Sequence, residues 1–211
     1  MKAAFIGIGN VGFAIANNLE KIGHQIIVAT NDPGSKSVVK ALAVNPRFTV
    51  KMIQDSVNEA DIIFLAIPFR VIEEVLKGID FKGKTLVDCT NPVGLGFTHG
   101  LQSVRSGSEV VQELAATAKV VKAFTIYGYE NFIDNSYPEY NVKPLMLIAG
   151  NDKESKQLVS SLIEELGFFP KDSGNLEQAL HLEHMTLLWV KMARINRHHP
   201  HFVWAYLEKT A

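Results

Sequence analysis

The chain alternates between short, uniformly apolar runs and longer segments whose apolar residues recur at helical spacing. The short runs predict strands buried on both faces, as in a parallel sheet, and the segments between them predict crossover helices. The pattern therefore predicts an α/β fold: a Rossmann-type, doubly wound, mostly parallel sheet with a C-terminal helical extension. Strands are predicted at 3–8, 25–30, 48–53, 61–67, 84–89, 119–123, 144–149 and 168–171. Helices are predicted near 10–22, 35–44, 55–60, 69–79, 107–118, 152–166, 175–196 and 200–209.

The first predicted strand runs into a glycine-rich turn, Gly7-x-Gly9-x-x-Gly12, and a helical pattern follows it. This order is typical of a site for the diphosphate of a dinucleotide. We expect Gly7 to permit the turn, Gly9 to let the backbone approach the phosphates, and Gly12 to let the helix pack on the strand. The free N–H groups at the helix start would bind the anion. The alternative is a glycine turn that binds nothing. The candidate residues are Gly7, Ile8, Gly9, Asn10, Val11 and Gly12.

The end of the second predicted strand bears on the choice between NADP and NAD. Thr30 and Asn31 come first there, and their neutral side chains can donate to a 2′-phosphate without repelling it. Lys36, a few residues further on, could add a positive charge. If the carboxylate of Asp32 faces the ribose of the coenzyme, it favours NAD. Alternatively, Asp32 forms part of a turn and caps the next helix. We expect NADP, and NAD stays open.

Three later strand ends supply the remaining candidates, because ligands of open parallel sheets bind at the carboxyl ends of the strands. Cys89 has no basic residue near it in the sequence and is interpreted as a buried small side chain rather than a reactive thiol. Phe124 is interpreted as a core residue. The candidates are Ala66, Ile67 and Pro68 after the fourth strand, Asn91 after the fifth, and Thr125 and Ile126 after the sixth.

The hydrophobic pattern changes after residue 173. We predict a dinucleotide-binding Rossmann domain over 1–173 and a helical segment over 174–211. The long helix of this segment is apolar on more than one side, so it must be covered on several sides. It either packs on its own domain or joins a second copy of the chain, and the sequence leaves both open. Its aromatic residues would serve either arrangement.

Composition narrows the classes of function. The 211 residues include 21 Lys+Arg and 22 Asp+Glu, a formal net charge of -1, so the chain has no overall attraction to nucleic acid or anionic membranes. One cysteine excludes an internal disulfide, and neither a signal-peptide pattern nor a membrane-length apolar run is seen. We therefore expect a cytoplasmic protein. His181 and His184 are three apart but lack further ligands, so neither a metal site nor a catalytic acid–base set is expected.

Taken together, the motifs resemble those of the NADPH-dependent coenzyme F420 reductases and, more distantly, the reductase domain of the STEAP metalloreductases. The resemblance covers nearly the whole chain. It rests on Gly7-x-Gly9-Asn10-x-Gly12, Leu65-Ala66-Ile67-Pro68, Asp88-x-Thr90-Asn91-Pro92, Val120-Val121-Lys122-Ala123-Phe124-Thr125 with Glu130-Asn131, Ala149-Gly150-Asn151-Asp152, Leu166-Gly167-Phe168, Asp172-Ser173-Gly174-Asn175-Leu176 and Leu187-Leu188-Trp189.

The resemblance implies a two-electron reductase that holds NADP in the glycine turn and exchanges a hydride with coenzyme F420. It implies no catalytic side chain, because the hydride passes directly between two rings. One position departs from the family, which commonly has Arg after Ser or Thr at the end of the second strand, whereas this chain has Thr30-Asn31. A flavin, quinone or ferric chelate acceptor stays open, as does an NADP(H)-binding sensor without turnover. We also expect a homodimer formed through the C-terminal helices.

Overall fold

An eight-stranded sheet runs through the computed structural model, which describes residues 1–209. The strand order is β3-β2-β1-β4-β5-β6-β7-β8, so the order reverses beside β1, as in a doubly wound fold. Strands β1 to β6 are parallel, and β7 and β8 run in the opposite direction. The predicted fold class is confirmed. The strands are β1 Lys2–Ile6, β2 Gln25–Ala29, β3 Thr49–Lys51, β4 Ile62–Leu65, β5 Thr85–Asp88, β6 Lys119–Lys122, β7 Leu145–Gly150 and β8 Phe169–Asp172.

Helices cover both faces of the sheet and form two cores. On one face α1, α2, α6, α7 and α8 pack on the sheet, and on the other α3, α4 and α5 do so. Ala3 and Phe5 face the first core while Ala4 and Ile6 face the second, which explains why the strand is apolar at consecutive positions. The helices are α1 Asn10–Lys21, α2 Lys36–Val44, α3 Ile53–Glu59, α4 Ile72–Leu76, α5 Gly107–Leu114, α6 Glu130–Ile133, α7 Lys153–Glu165 and α8 Ala179–Val190.

The predicted long helix over 175–196 is divided into three parts. A 3₁₀ turn at Leu176–Gln178 leads into α8, and α8 passes into a π-helical turn at Lys191–Ile195. Leu182 and Trp189 of α8 are each 1% exposed and pack in the same core as α7. Of the two arrangements left open by the sequence, the structure therefore shows the helix packed on the main body of the chain. The boundary at residue 173 stays a prediction.

The predicted helix over 200–209 is wrong, because residues 201–209 have no helical structure. The carbonyl of Trp204 instead accepts a hydrogen bond of 2.8 Å from the N–H of Leu145, at the start of β7. The hydroxyl of Tyr127 also contacts the Trp204 backbone. Three consecutive residues, 202–204, pack against the first core, which suits an extended segment better than a helix.

The short helix α6 was not predicted, since one turn carries too few residues to show a helical period. The predicted helix over 69–79 is a 3₁₀ turn, Phe69–Val71, followed by α4, and it ends before Gly78, whose φ is 77°. Within residues 1–209, no helix has the length and hydrophobicity needed to cross a membrane.

Candidate functional site

The three glycines of the first turn have different surroundings. Gly7 has a φ of 100°, and a Cβ there would lie 2.5 Å from the carbonyl oxygen of Ala66. A Cβ on Gly12 would lie 2.2 Å from the carbonyl oxygen of Gly7. Gly9 differs, because no described atom lies within 4 Å of its Cβ position. Gly7 and Gly12 are therefore required by the packing of the chain, whereas Gly9 borders open space that a ligand can enter.

The start of α1 presents free backbone donors beside Gly9. The first helical hydrogen bond joins the N–H of Phe13 to the carbonyl of Gly9 at 2.8 Å, and no side chain caps the helix. The N–H groups of Asn10, Val11 and Gly12 therefore have no acceptor among the described residues. Together with the positive end of the helix dipole, they suit an anion such as a diphosphate.

A cavity of about 340 Å³ lies on one side of this turn, over the end of β2. It contains the predicted residues Thr30 and Asn31, whereas Lys36 is exposed and does not line it. Two hydroxyl groups that the sequence analysis missed, those of Ser35 and Ser37, also line the cavity; their place at the start of α2 was the available signal. The residues that line this cavity include Gly7, Ile8, Thr30, Asn31, Asp32, Ser35, Ser37, Ile67 and Glu74.

Asp32 closes a local turn. Its Oδ1 accepts a hydrogen bond of 3.2 Å from the N–H of Gly34, and its own N–H donates to the hydroxyl of Thr30 at 3.0 Å. Of the two alternatives for Asp32, the structure shows the turn, but Asp32 does not cap α2, because Ser35 occupies the N-cap position. The Asp32 carboxylate therefore has a partner in its own turn.

A second cavity, of about 310 Å³, lies on the other side of the end of β4. Ile67 lines the first cavity and the next residue, Pro68, lines the second, so the segment after β4 lies between the two spaces. Ala66 lies between them, against Gly7. Pro68 and Asn91, which are both candidate site residues from the sequence, line the same cavity. The second cavity is lined by Pro68, Phe69, Arg70, Asn91, Pro92, Val93 and Gly100.

Thr125 is connected to this cavity by a hydrogen bond to Asn91. Its hydroxyl donates to the Oδ1 of Asn91 at 2.6 Å, and the Asn91 Nδ2 donates to no described residue. The hydroxyl of Thr186, on α8, lies 3.2 Å from that of Thr125 and fixes it from behind. Thr125 is itself buried, so it orients Asn91 and does not line the cavity. Ile126 is fully buried and lines neither cavity, so its predicted place beside the ligand is corrected to the core.

A buried ionic cluster lies behind Asn91, and the sequence analysis missed it. The Lys122 Nζ, at the end of β6, lies 3.1 Å from the Asp88 Oδ2 and 3.0 Å from the Glu183 Oε1. It also donates to the carbonyl of Thr90, the residue before Asn91. The second Glu183 oxygen lies 2.8 Å from the His99 Nε2. The four charged or titratable side chains are almost completely buried.

Both carboxylates of the cluster have donors on each oxygen. Asp88 accepts from the N–H and hydroxyl of Thr90, the hydroxyl of Ser108 and the Lys122 ammonium. Burial alone would lower the pKa of Lys122, but the attraction of Asp88 and Glu183 outweighs it and raises the pKa above its usual value. The ammonium is therefore retained in the interior. A lysine within an apolar strand and a glutamate within an apolar helix were the signals available in the sequence.

The other chemical groups near the site are inert. Cys89 is a free, buried thiol, and desolvation raises its pKa far above the usual value, so it does not form a nucleophilic thiolate. The interpretation of Cys89 and Phe124 as buried residues is confirmed. In the described part of the chain, no group of three or more His, Cys, Asp or Glu side chains is arranged to hold a metal ion.

Known oxidoreductases are similar to this chain in sequence. Residues 2–92 match the family model described as NADP oxidoreductase coenzyme F420-dependent. The chain is 28% identical over 189 residues to the metalloreductase STEAP3 of Rattus norvegicus, an alignment that covers 88% of this chain and 36% of that protein. It is 36% identical over 98 residues to 2-hydroxy-3-oxopropionate reductase of Escherichia coli K12, which covers 43% of this chain and 32% of the relative. The chain thus spans about a third of the length of these curated relatives.

Two solved structures share the architecture over most of the chain. A protein from Arthrobacter sp. FB24, provisionally assigned as an F420-dependent NADP-reductase, has a TM-score of 0.83 and 23% identity, covering 94% of this chain and 96% of its own. A hypothetical protein from Sinorhizobium meliloti has a TM-score of 0.74 and 26% identity, covering 85% and 87%. Residues 2–92, a little under half of the chain, are therefore similar to the coenzyme F420-dependent NADP oxidoreductases, which confirms the resemblance, and the whole chain shares the Rossmann-type fold of these solved structures.

Proposed function

We propose that this protein is an NADP(H)-dependent oxidoreductase that transfers a hydride between the coenzyme and a flat redox acceptor, with coenzyme F420 as the acceptor suggested by the family. One observation carries the proposal. The free N–H groups at the start of α1 and the open space at Gly9 border a further cavity of about 320 Å³, which Gly9 and Asn10 line and which shares Ile8 and Ser37 with the first cavity, at the carboxyl ends of parallel strands. This is where a doubly wound sheet binds a dinucleotide.

The first cavity suits the adenosine half of NADP. Asn31 and the hydroxyls of Ser35 and Ser37 can donate hydrogen bonds to a 2′-phosphate, whereas the hydroxyl of Thr30 already donates to the carbonyl of Asp32 at 3.2 Å. The carboxylate of Asp32, which would repel that phosphate, already accepts a hydrogen bond within its own turn. These neutral donors support NADP over NAD, although they form weaker contacts than the bidentate guanidinium common in the family.

The second cavity suits the nicotinamide half. Asn91 Nδ2 is free to donate to the carboxamide or the ribose, and Thr125 holds its orientation. When bound, the nicotinamide supplies or accepts the hydride. The chain's own residues orient the ring and exclude water, and this needs no acid or base side chain. Leu95 is 97% exposed and Phe97 is 37% exposed in the loop between Val93 and Gly100, two residues that line this cavity, so the loop offers an apolar surface to a flat acceptor.

Steady-state kinetics test the proposal. The purified protein is mixed with NADPH and, separately, a deazaflavin, a flavin, a quinone and a ferric chelate, while the absorbance of the reduced nicotinamide is followed. We expect NADPH to be oxidised with at least one acceptor and more slowly when NADH replaces it. A protein that binds NADPH but turns over none of the acceptors would disprove the oxidoreductase assignment and favour a sensor.

A further inference from the structure

Glu183, on α8, joins three segments that are distant in the sequence. One carboxylate oxygen accepts from the Lys122 ammonium at 3.0 Å, and the other accepts from His99 at 2.8 Å. The N–H of Gly107, at the start of α5, lies 2.9 Å and 3.0 Å from the two oxygens. This single side chain therefore links the end of β6, the loop after β5 and the start of the following helix.

The hydrogen bonds of His99 identify its tautomer. Its Nδ1 accepts from the N–H groups of Leu101 at 3.3 Å and Ser103 at 3.2 Å. Because Nδ1 is an acceptor, the ring proton lies on Nε2 and is donated to Glu183. The other groups facing the ring belong to α8: the His184 ring, with its centroid 5.4 Å away, and Glu183 itself. Glu183 therefore needs an acceptor oxygen towards His99 as well as towards Lys122.

The loop that carries His99 forms one wall of the second cavity. Val93 and His99 form a β-bridge, and the N–H of Gly100 donates to the carbonyl of Pro92. Val93, Pro92 and Gly100 line the cavity. The position of this wall therefore depends on where His99 is held. On the other side of the same loop, Lys122 holds the carbonyl of Thr90.

We propose that Glu183 is a positioning residue for the nicotinamide end of the coenzyme: through His99 and Lys122 it fixes the loop over 90–100 that forms the second cavity. The inference rests on the proposed function. Glu183 does not line the first cavity, so the adenosine end of the coenzyme does not depend on it. Loss of its carboxylate weakens binding of the whole coenzyme while the adenosine fragment binds as before.

Glu183→Gln is a suitable variant because it does not leave a buried charge unpaired. Lys122 and Asp88 remain as a pair with no net charge. The amide places an NH₂ group towards either the Lys122 ammonium or the Nε2 proton of His99, and either arrangement costs one of the links described above. Glu177→Gln is the matched control, since Glu177 is exposed and precedes the same helix.

The experiment is a calorimetric titration of the full chain with NADPH and, separately, with 2′,5′-ADP. For Glu183→Gln we expect NADPH to bind about tenfold more weakly and 2′,5′-ADP to bind within about twofold of the wild type. The control variant should match the wild type for both ligands. An equal loss of affinity for both ligands, or no loss for either, overturns the positioning role.

His99→Phe tests the same link from the loop side and decides the question if Glu183→Gln does not fold. His99 lies in a loop rather than a strand or helix, so its replacement leaves the sheet intact. We expect the same selective loss for NADPH, and unchanged binding of both ligands would refute the proposal. A wild-type protein that binds neither ligand nor NADH refutes the proposed function itself, which separates the two failures.

Discussion

At the residue scale, Gly9 is the position where ligand binding and folding can be separated. A side chain there meets no described protein atom, but it projects into the space in front of the α1 N–H groups. Gly12 is different, because its Cβ would lie 2.2 Å from a backbone oxygen, which cannot move aside as a flexible side chain can.

We therefore predict that Gly9→Val abolishes binding of NADP(H) and leaves the thermal unfolding midpoint nearly unchanged. Gly12→Val should lower that midpoint strongly or prevent folding. Calorimetric titration with NADPH and a thermal melt of each variant provide the check. If Gly9→Val binds NADPH with the wild-type affinity, the diphosphate is not bound at this turn.

Asn31 sets the predicted choice between the two coenzymes. Asn31→Arg adds a guanidinium at the end of β2, in the cavity where Ser35 and Ser37 also lie. A charge-assisted contact with the 2′-phosphate should raise the affinity for NADPH relative to NADH by about tenfold. The ratio of the two dissociation constants measures the effect, and Asn31→Gln is the uncharged control. An unchanged ratio means that this side chain does not face the ribose.

At the element scale, α7 begins with a charged cap. The N–H of Ser155 donates to the Asp152 Oδ1 at 2.8 Å, and Lys119 lies 3.1 Å from the other oxygen. The hydrogen bonds from Ser155, and then that from Lys119, lower the pKa of Asp152 from 3.8 to about 2. Because the folded pKa is the lower one, the stabilisation is present above pH 3.8 and is lost as the pH falls towards about 2.

The Asp152 cap should make the thermal stability of the protein depend on pH. Asp152→Asn keeps a cap acceptor but removes the charge, so the variant should unfold at a lower temperature than the wild type near neutral pH. The difference should shrink as the pH falls from 3.8 towards about 2, where the wild-type carboxylate of the folded chain takes up a proton. Thermal melts across this range measure it. A difference that stays constant with pH would show that the charge contributes nothing.

At the scale of the whole molecule, the outer side of α8 remains apolar in part. Leu188 on α8 and Ile195 at the end of the π-helical turn that follows it are each 50% exposed, whereas the opposite side of α8 is buried in the chain's own core. Paired apolar residues on an exposed helix face favour association with a second copy. The homodimer predicted from the sequence is therefore kept as a proposal, with this face as its contact.

We predict that the protein has the mass of two chains in light scattering and that Leu188→Lys shifts it towards the mass of one. Val39→Lys is the control, since Val39 is 56% exposed on α2, far from α8 in the sheet order. A wild-type mass of one chain, or a dimer that Leu188→Lys leaves intact, would refute the C-terminal contact.

The strands and the glycine turn could be predicted because their signals are local. Each residue of β1 faces one of two cores, so the run is apolar at every position, and Gly7 is fixed by the conformation of its own turn. The candidate residues Thr30, Pro68 and Asn91 were found for a similar reason, since strand ends of a parallel sheet meet at one edge. Ile126 was misplaced because the sequence gives the edge but not the direction of each side chain.

The sequence by itself determined the sheet, its crossover helices and the glycine turn where we propose that an anion binds, because these depend on apolar periodicity and backbone freedom over a few residues. Only the tertiary structure decided that 201–209 is not helical and that Asp88, His99, Lys122 and Glu183 form one cluster. Those four side chains come from separate elements, and each is favourable in the interior only beside the others. No single segment of the chain contains all four side chains, so their mutual stabilisation becomes visible only in the assembled fold.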